Sequence, residues 1–404
     1  MKERDGLSMK SERILRMTPS ATIELEGTVA DLHAQGIDVI GLNAGEPDFN
    51  TPVNIIMACT RAMEEGKTKY CKVSGIPELR QAICDKLFQD NGVAYHPDQI
   101  SVSTGAKQAL FNAVLAVVNP GDEVIIPKPC WVSYVEIVKL AEGIPVLVDT
   151  VPETFALDLR AIEQAITPKT RAVMINTPNN PTGAVYSEES LRRLGELAVA
   201  HDFYIISDEV YEKLIYGKSK HVCAASLSPE IYEHTIVVNG FSKAYAMTGW
   251  RLGYAASPRD VARSIASVQG HTTSNSTTFV QWAGVEALRG PQDSIAKMKE
   301  QFDKRRCYLV EALNRIPGIR CANAEGAFYL MPDVSSYYEK KTPDGRAIAD
   351  SFGFCNYLLE AAHVAIVPGA AFECPNAVRF AYSNSLEKIQ AAVARIEKAL
   401  AVLK

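Results

Sequence analysis

Gly240-Phe-Ser-Lys-Ala-Tyr-Ala-Met-Thr-Gly-Trp-Arg-Leu-Gly253 is the stretch on which the fold and the chemistry turn. It follows an apolar run, Thr235–Val238, that reads as a strand. Lys243 sits just past that strand among small residues, where loss of water lowers an amine's pKa and favours imine chemistry. Most lysines are solvated surface charges, so this residue alone decides nothing. Its company does. Ser242 offers a hydroxyl and Arg251 a fork of donors, and both are groups that ligate phosphate.

The flanking sequence repeats the strand-then-helix pattern. Val124–Pro127, Pro145–Asp149, Ala172–Asn176, Tyr204–Ser207 and Leu252–Ala256 are further short, near-continuous apolar runs. Strands buried on both faces of a mostly parallel sheet read this way. Helical patterns lie between them. One begins at Ser187 and carries Leu191, Leu194 and Leu197 on one face; another, Gln108–Val118, stops at Asn119-Pro120-Gly121. The alternation predicts an α/β domain with helices on both faces. Thr51-Pro52 reads as a helix start with Thr as cap, and Pro77 opens another. Leu386, Ile389, Val393, Ile396, Leu400 and Leu403 form one apolar helical stripe behind a Ser385 cap. The expected division is a large domain over 46–290 and a smaller one from 1–45 with 291–404.

Several side chains on this frame invite chemistry. Asp208 ends the run Tyr204–Ser207, and a carboxylate at the end of a buried strand needs a partner. A protonated pyridine nitrogen would serve, making its ring an electron sink. Tyr211, three residues on, could donate to a ring phenolate oxygen. Asn180, in Asn179-Asn-Pro-Thr-Gly183, could donate there or to a substrate carboxylate. Ser103-Thr-Gly-Ala-Lys-Gln108 precedes a helix, whose N-terminal N–H groups and dipole suit a phosphate.

Composition narrows the class. The chain has 404 residues, 47% apolar and 22% charged, which allows a large core. A net charge of -5 and no basic block disfavour nucleic acid. The nine cysteines are odd in number and contain no CxxC pair, so neither a disulfide framework nor a zinc site is expected, nor any other metal. Reduced thiols fit the cytoplasm. The N-terminus lacks an apolar signal core, and no run of about 18 apolar residues occurs, so neither export nor a membrane span is expected.

Taken jointly, these residues resemble the class I aminotransferases that depend on pyridoxal 5′-phosphate (PLP), of PLP fold type I. The lysine stretch, Asn-Pro-Thr-Gly, Asp-x-x-Tyr and Arg379 in Val-Arg-Phe-Ala-Tyr-Ser occur in that family's order, and the likeness runs from about Arg16 to the C-terminus. The resemblance implies a mostly parallel seven-stranded sheet sandwiched by helices, with a smaller α+β domain built from both termini. It also implies roles. Lys243 would attach the cofactor and later move the substrate Cα proton, with Asp208 on the pyridine nitrogen and Tyr211 and Asn180 on the phenolate oxygen. Trp131 would stack on the ring. Gly105, Ala106, Ser242 and Arg251 would cradle the phosphate, with Lys107 beside them. Tyr70 resembles the tyrosine that reaches the neighbouring subunit's phosphate, which implies a homodimer with shared sites. Arg379 would clamp the substrate α-carboxylate, helped by Asn180, Trp131 and the backbone of Gly45. Gly240 is a departure: many relatives have Ser there, so one phosphate hydroxyl is lost.

Lys107 resembles the distal-carboxylate lysine of bacterial 1β-type aspartate aminotransferases, and Thr22 a hydroxyl contact of that subgroup. The implied reaction is L-aspartate with 2-oxoglutarate, giving oxaloacetate and L-glutamate. Some members also use prephenate and often carry a basic residue where this chain has Thr18. Two other classes compete. A PLP lyase or synthase on the same fold would turn over with a single substrate. A transcription regulator would need an added DNA-binding domain, and only about 40 residues precede Gly41.

Overall fold

The computed structural model describes residues 10–19 and 21–404. A two-residue strand, β1 (Ile40–Gly41), precedes seven strands that form one sheet: β2 (Ile100–Ser103), β3 (Glu123–Lys128), β4 (Ile144–Asp149), β5 (Thr170–Asn176), β6 (Tyr204–Asp208), β7 (Thr235–Gly240) and β8 (Gly253–Ala256). Their order is β2-β8-β7-β6-β5-β3-β4. The run from β7 to β4 is parallel, and β8 alone runs against both neighbours. The six apolar runs singled out in the sequence each occupy one strand.

Both faces of the sheet are covered, which explains the continuous apolar runs. Side chains alternate across a strand. Val124, Ile126, Ala172, Met174 and Ile206 therefore pack on one side, with Leu110, Val114 and Tyr134. Ile125, Val173, Ile175 and Ile205 pack on the other, with Leu191, Leu194 and Leu197. The latter three lie on the helix Glu188–His201, whose cap Ser187 accepts from the Ser190 N–H. Pro77 opens the helix Pro77–Asn91 at its first turn.

Four short strands complete the chain: β9 (Tyr329–Leu330), β10 (Val364–Ala365), β11 (Val367–Pro368) and β12 (Val378–Ala381). β10 pairs with β1, and β11, β12 and β9 form an antiparallel set. Ile40 and Leu42 share an apolar cluster with Phe302 and Leu309 of the helix Asp293–Arg315 and with Ile389, Val393, Ile396 and Leu400. The last four belong to the helix Leu386–Leu400, capped by Ser385 as the stripe predicted. Leu403 lies beyond the helix end yet packs on the same cluster. One expectation is corrected. The helix after Thr51-Pro52 begins at Val53 with Pro52 as cap. The Thr51 hydroxyl turns elsewhere, donating to the Ala246 carbonyl at 2.6 Å and accepting from the Trp250 indole at 3.0 Å.

All nine cysteines are unpaired. No helix among the described residues is long and apolar enough to cross a membrane.

Candidate active site

In open α/β sheets, ligands gather outside the carboxyl ends of parallel strands. Here Asn176 and Asp208 end β5 and β6 as register partners, and the chain leaving β7 reaches Lys243 within three residues. They line a cavity of about 290 Å³, together with Thr22, Gly45, Ala106, Lys107, Trp131, Asn180, Tyr211, Ser242, Arg251 and Arg379. An outer cavity of about 870 Å³ shares Gly45, Ser242, Lys243 and Arg251 with it. Two expected site residues lie off these walls. Gly105 stands behind Arg251, and Tyr70 is 91% exposed.

Asp208 is 4% exposed. Burial raises its carboxyl to about 6, against the pull of a Tyr134 hydroxyl at 2.7 Å and the Val210 N–H at 3.2 Å. The Asn176 amide donates to the Asp208 carbonyl at 2.9 Å and its oxygen accepts from the Asn180 N–H at 2.7 Å, so one side chain ties two candidate residues together.

Lys243 is half-buried, and its amine donates to the Gly45 carbonyl. Burial pushes that amine down to about 8; Arg379 and Arg251 push the same way, while Glu46 and Asp208 oppose. The rings of Tyr211 and Phe328 each lie 5.7 Å from the ammonium. The Tyr211 hydroxyl shares a 2.9 Å hydrogen bond with that of Tyr329.

Arg379, in β12, is 2% exposed. One guanidinium nitrogen donates to Asn180 Oδ1 at 3.0 Å and another to the Asn43 carbonyl at 2.7 Å, while the buried Nε has no partner among the described residues. The guanidinium lines the inner cavity, where its charge and planar fork of donors suit a carboxylate. Lys107 lies over Trp131, 4.8 Å from the ring centroid, with its pKa lowered by burial and by Arg251.

Gly105 caps the helix Ala106–Val117 at φ 86°, a backbone that favours glycine. A Cβ there would stand 2.6 Å from Nη2 of Arg251. The glycine thus lets the guanidinium lie against the helix N-terminus, and together they concentrate positive potential. The Arg251 Nη1 is held by the Thr248 carbonyl at 2.8 Å.

Sequence reading missed Tyr134, Asn176, Tyr329 and Glu26, all on the inner wall. For Tyr134 a signal existed: it lies three residues after Trp131, the spacing of one helix face. Tyr329 carried none, because β9 is too short for a pattern.

The arrangement thus offers a depressed-pKa amine, a buried carboxylate, a buried guanidinium and a glycine-lined helix N-terminus around one small cavity. The chain matches the family model described as aminotransferase class I and II over residues 37–396. It is 45% identical over 389 residues to an aspartate aminotransferase of Geobacillus stearothermophilus, covering 96% of this chain and 98% of that one. It is 46% identical over 400 residues to a probable aspartate/prephenate aminotransferase of Aquifex aeolicus, covering 98% and 99%. Among solved structures, the aspartate aminotransferase of Rhizobium meliloti superposes with a TM-score of 0.95 at 43% identity, covering 98% of this chain and all of that one (100%). The Thermus thermophilus aspartate aminotransferase with maleate gives 0.91 at 42%, covering 97% and 100%. This chain belongs to the class I and II aminotransferase family.

Proposed function

We propose that the chain is a PLP-dependent aminotransferase using L-aspartate and 2-oxoglutarate to give oxaloacetate and L-glutamate. The observation that carries the reading is a buried acid and an amine of lowered pKa, Asp208 and Lys243, lining one cavity with Arg379. When bound, PLP supplies an aldehyde that condenses with amines and a pyridinium ring that draws charge from the substrate Cα.

The residues fit that group. Among the described residues the Asp208 carboxylate is met by the Tyr134 hydroxyl and the Val210 N–H and by no cation, so it would take the pyridinium nitrogen, whose charge would hold the carboxyl ionised. Ser242, Arg251, Gly105 and Ala106 would hold the phosphate, with Lys107 at its edge. Trp131 would cover the ring, and Tyr211 with Asn180 would hold the phenolate oxygen. Lys243 acts as the base at substrate Cα. With its amine held near 8, a usable fraction is neutral around neutral pH, the form that accepts a proton. Arg379 binds the α-carboxylate through its fork of guanidinium donors, aided by Asn180 and Gly45. Lys107 and Thr22 bind the distal carboxylate.

Further proposals attend this one. The enzyme is a homodimer with Tyr70 crossing to the partner's phosphate site, supported by the exposure of Tyr70 and of Met57 and Met63 on the helix Val53–Glu64. Residues 46–290 and 1–45 with 291–404 act as large and small domains, supported by the cluster that joins Ile40 and Leu42 to Phe302 and the C-terminal helix and meets the larger part at Val210, Tyr211, Leu214 and Tyr216. The cytoplasm is the expected compartment, where nine unpaired thiols stay reduced. Prephenate is a second acceptor to test, because the Aquifex aeolicus and Cereibacter sphaeroides relatives carry that name.

Holoenzyme given aspartate alone should convert its cofactor once and release one oxaloacetate per site. Glutamate should also convert it once, releasing one 2-oxoglutarate per site; alanine, phenylalanine and arogenate complete the panel. Continuous release of pyruvate or ammonia would mark a lyase, and no conversion by aspartate would remove the substrate reading.

A further inference from the structure

The helix Ala21–Ala34 turns one face to the cavities. Thr22 and Glu26 line the inner one; Glu26, Val29 and His33 line the outer one. Steps of four, three and four belong to a single helical face. Glu26 is therefore where this helix meets the neck between the cavities, a neck it shares with Lys243 and Arg251. Asp208, the other acid on the inner wall, is buried and held by Tyr134. Glu26 is thus the exposed carboxylate of that wall among the described residues. Its field reaches Arg379, where it opposes the lowering that burial imposes on the guanidinium. None of the roles given above uses it. A negative group beside an anion-binding site weakens anions in general, and most strongly those with two charges, which is a means of sorting them.

We propose that Glu26 is a specificity-determining residue whose carboxylate, at the neck of the cavity, opposes the second carboxylate of a dicarboxylic ligand. Lys107 attracts that group and Glu26 repels it, so the preference for dicarboxylates is set by the difference between them. The inference rests on the reading of Arg379 and Lys107 as carboxylate sites. Repulsion of the α-carboxylate is common to every substrate and cancels when ligands are compared.

Glu26→Gln removes the charge and keeps the shape. Glu24→Gln, on the same helix and exposed, makes the same change in net charge at a side chain that lines neither cavity. Calorimetry on each holoenzyme compares maleate, a dicarboxylate, with isovalerate, a monocarboxylate. Glu26→Gln should tighten maleate about three- to tenfold more than isovalerate, as expected for one charge acting at several ångströms through partly wetted protein. Glu24→Gln should leave the ratio unchanged. An unchanged maleate-to-isovalerate ratio in Glu26→Gln, or an equal change in both variants, overturns the proposal. The aspartate half-reaction of the unaltered enzyme reports separately on the function itself. Turnover of aspartate with no Glu26 effect sinks this inference alone; a Glu26 effect without turnover of aspartate sinks only the substrate reading.

Discussion

Asp208 shows how one residue's environment sets its chemistry. Burial outweighs its neighbours and raises the carboxyl to about 6, and the Tyr134 hydroxyl is the neighbour that pulls hardest toward the carboxylate. Tyr134→Phe deletes that donor and favours the acid further, which weakens a pairing with a cationic ring. Hydrogen bonds to charged groups are worth about 1.5–3 kcal/mol. PLP affinity, followed by absorbance titration, should therefore fall roughly tenfold or more. An unchanged affinity would contradict Asp208 as the ring's partner. This scale also shows what could be read without coordinates. Asp208 stood out as a charge ending an apolar strand, Lys243 through its company of Ser242 and Arg251, and Arg379 through the order of motifs that resembles the family. Tyr329 and Glu26 did not, because an aromatic on a short strand or an acid on a helix is locally ordinary, and for Tyr134 the spacing from Trp131 was the sole cue. Their significance comes from neighbours far away in the chain.

Between elements, the turn after β6 is anchored from behind by charge. Lys86, on the helix Pro77–Asn91, bonds to Glu212, which also accepts from Asn91 at 2.8 Å and from Asn239, in β7, at 2.9 Å. Next to it Glu209, fully buried, meets His221 at 2.8 Å. Burial pushes the Glu212 acid up, but Lys86, His221 and Asn91 outweigh it and hold the group at about 2, against an ordinary 4.5. The folded state therefore binds this proton less readily than the unfolded chain. Its stabilisation is present above about pH 4.5 and is lost as pH falls toward 2. Lys86→Met should strand the carboxylate and destabilise the fold by about 3–5 kcal/mol at pH 7, read by urea unfolding. The deficit should shrink as pH drops through that window; a pH-independent deficit would contradict the pairing. Strand and helix positions at this scale were legible because period and cap chemistry are local, as at Ser187 and Ser385. The Thr51 reading missed by one residue because its hydroxyl bonds to Ala246, nearly two hundred residues away.

For the whole molecule, the parallel sheet matters because it brings the ends of β5, β6 and β7 to one edge, and β12 carries Arg379 to the same cavity from the far end of the chain. The fold class was legible from the alternation of strands and helices; the pairing of β1 with β10 was not, since two-residue strands carry no period. The proposed dimer should sediment as one species at twice the 44.1 kDa chain mass at micromolar concentration, and a monomer under those conditions would remove the role of Tyr70. The central claim is that Lys243 carries the cofactor. Borohydride reduction of the holoenzyme, followed by intact-mass measurement and peptide mapping, tests it most directly. The account predicts one pyridoxyl phosphate adduct per chain, on the peptide containing Lys243, and none in Lys243→Ala. A full adduct at another lysine, or no adduct with PLP in excess, would contradict it.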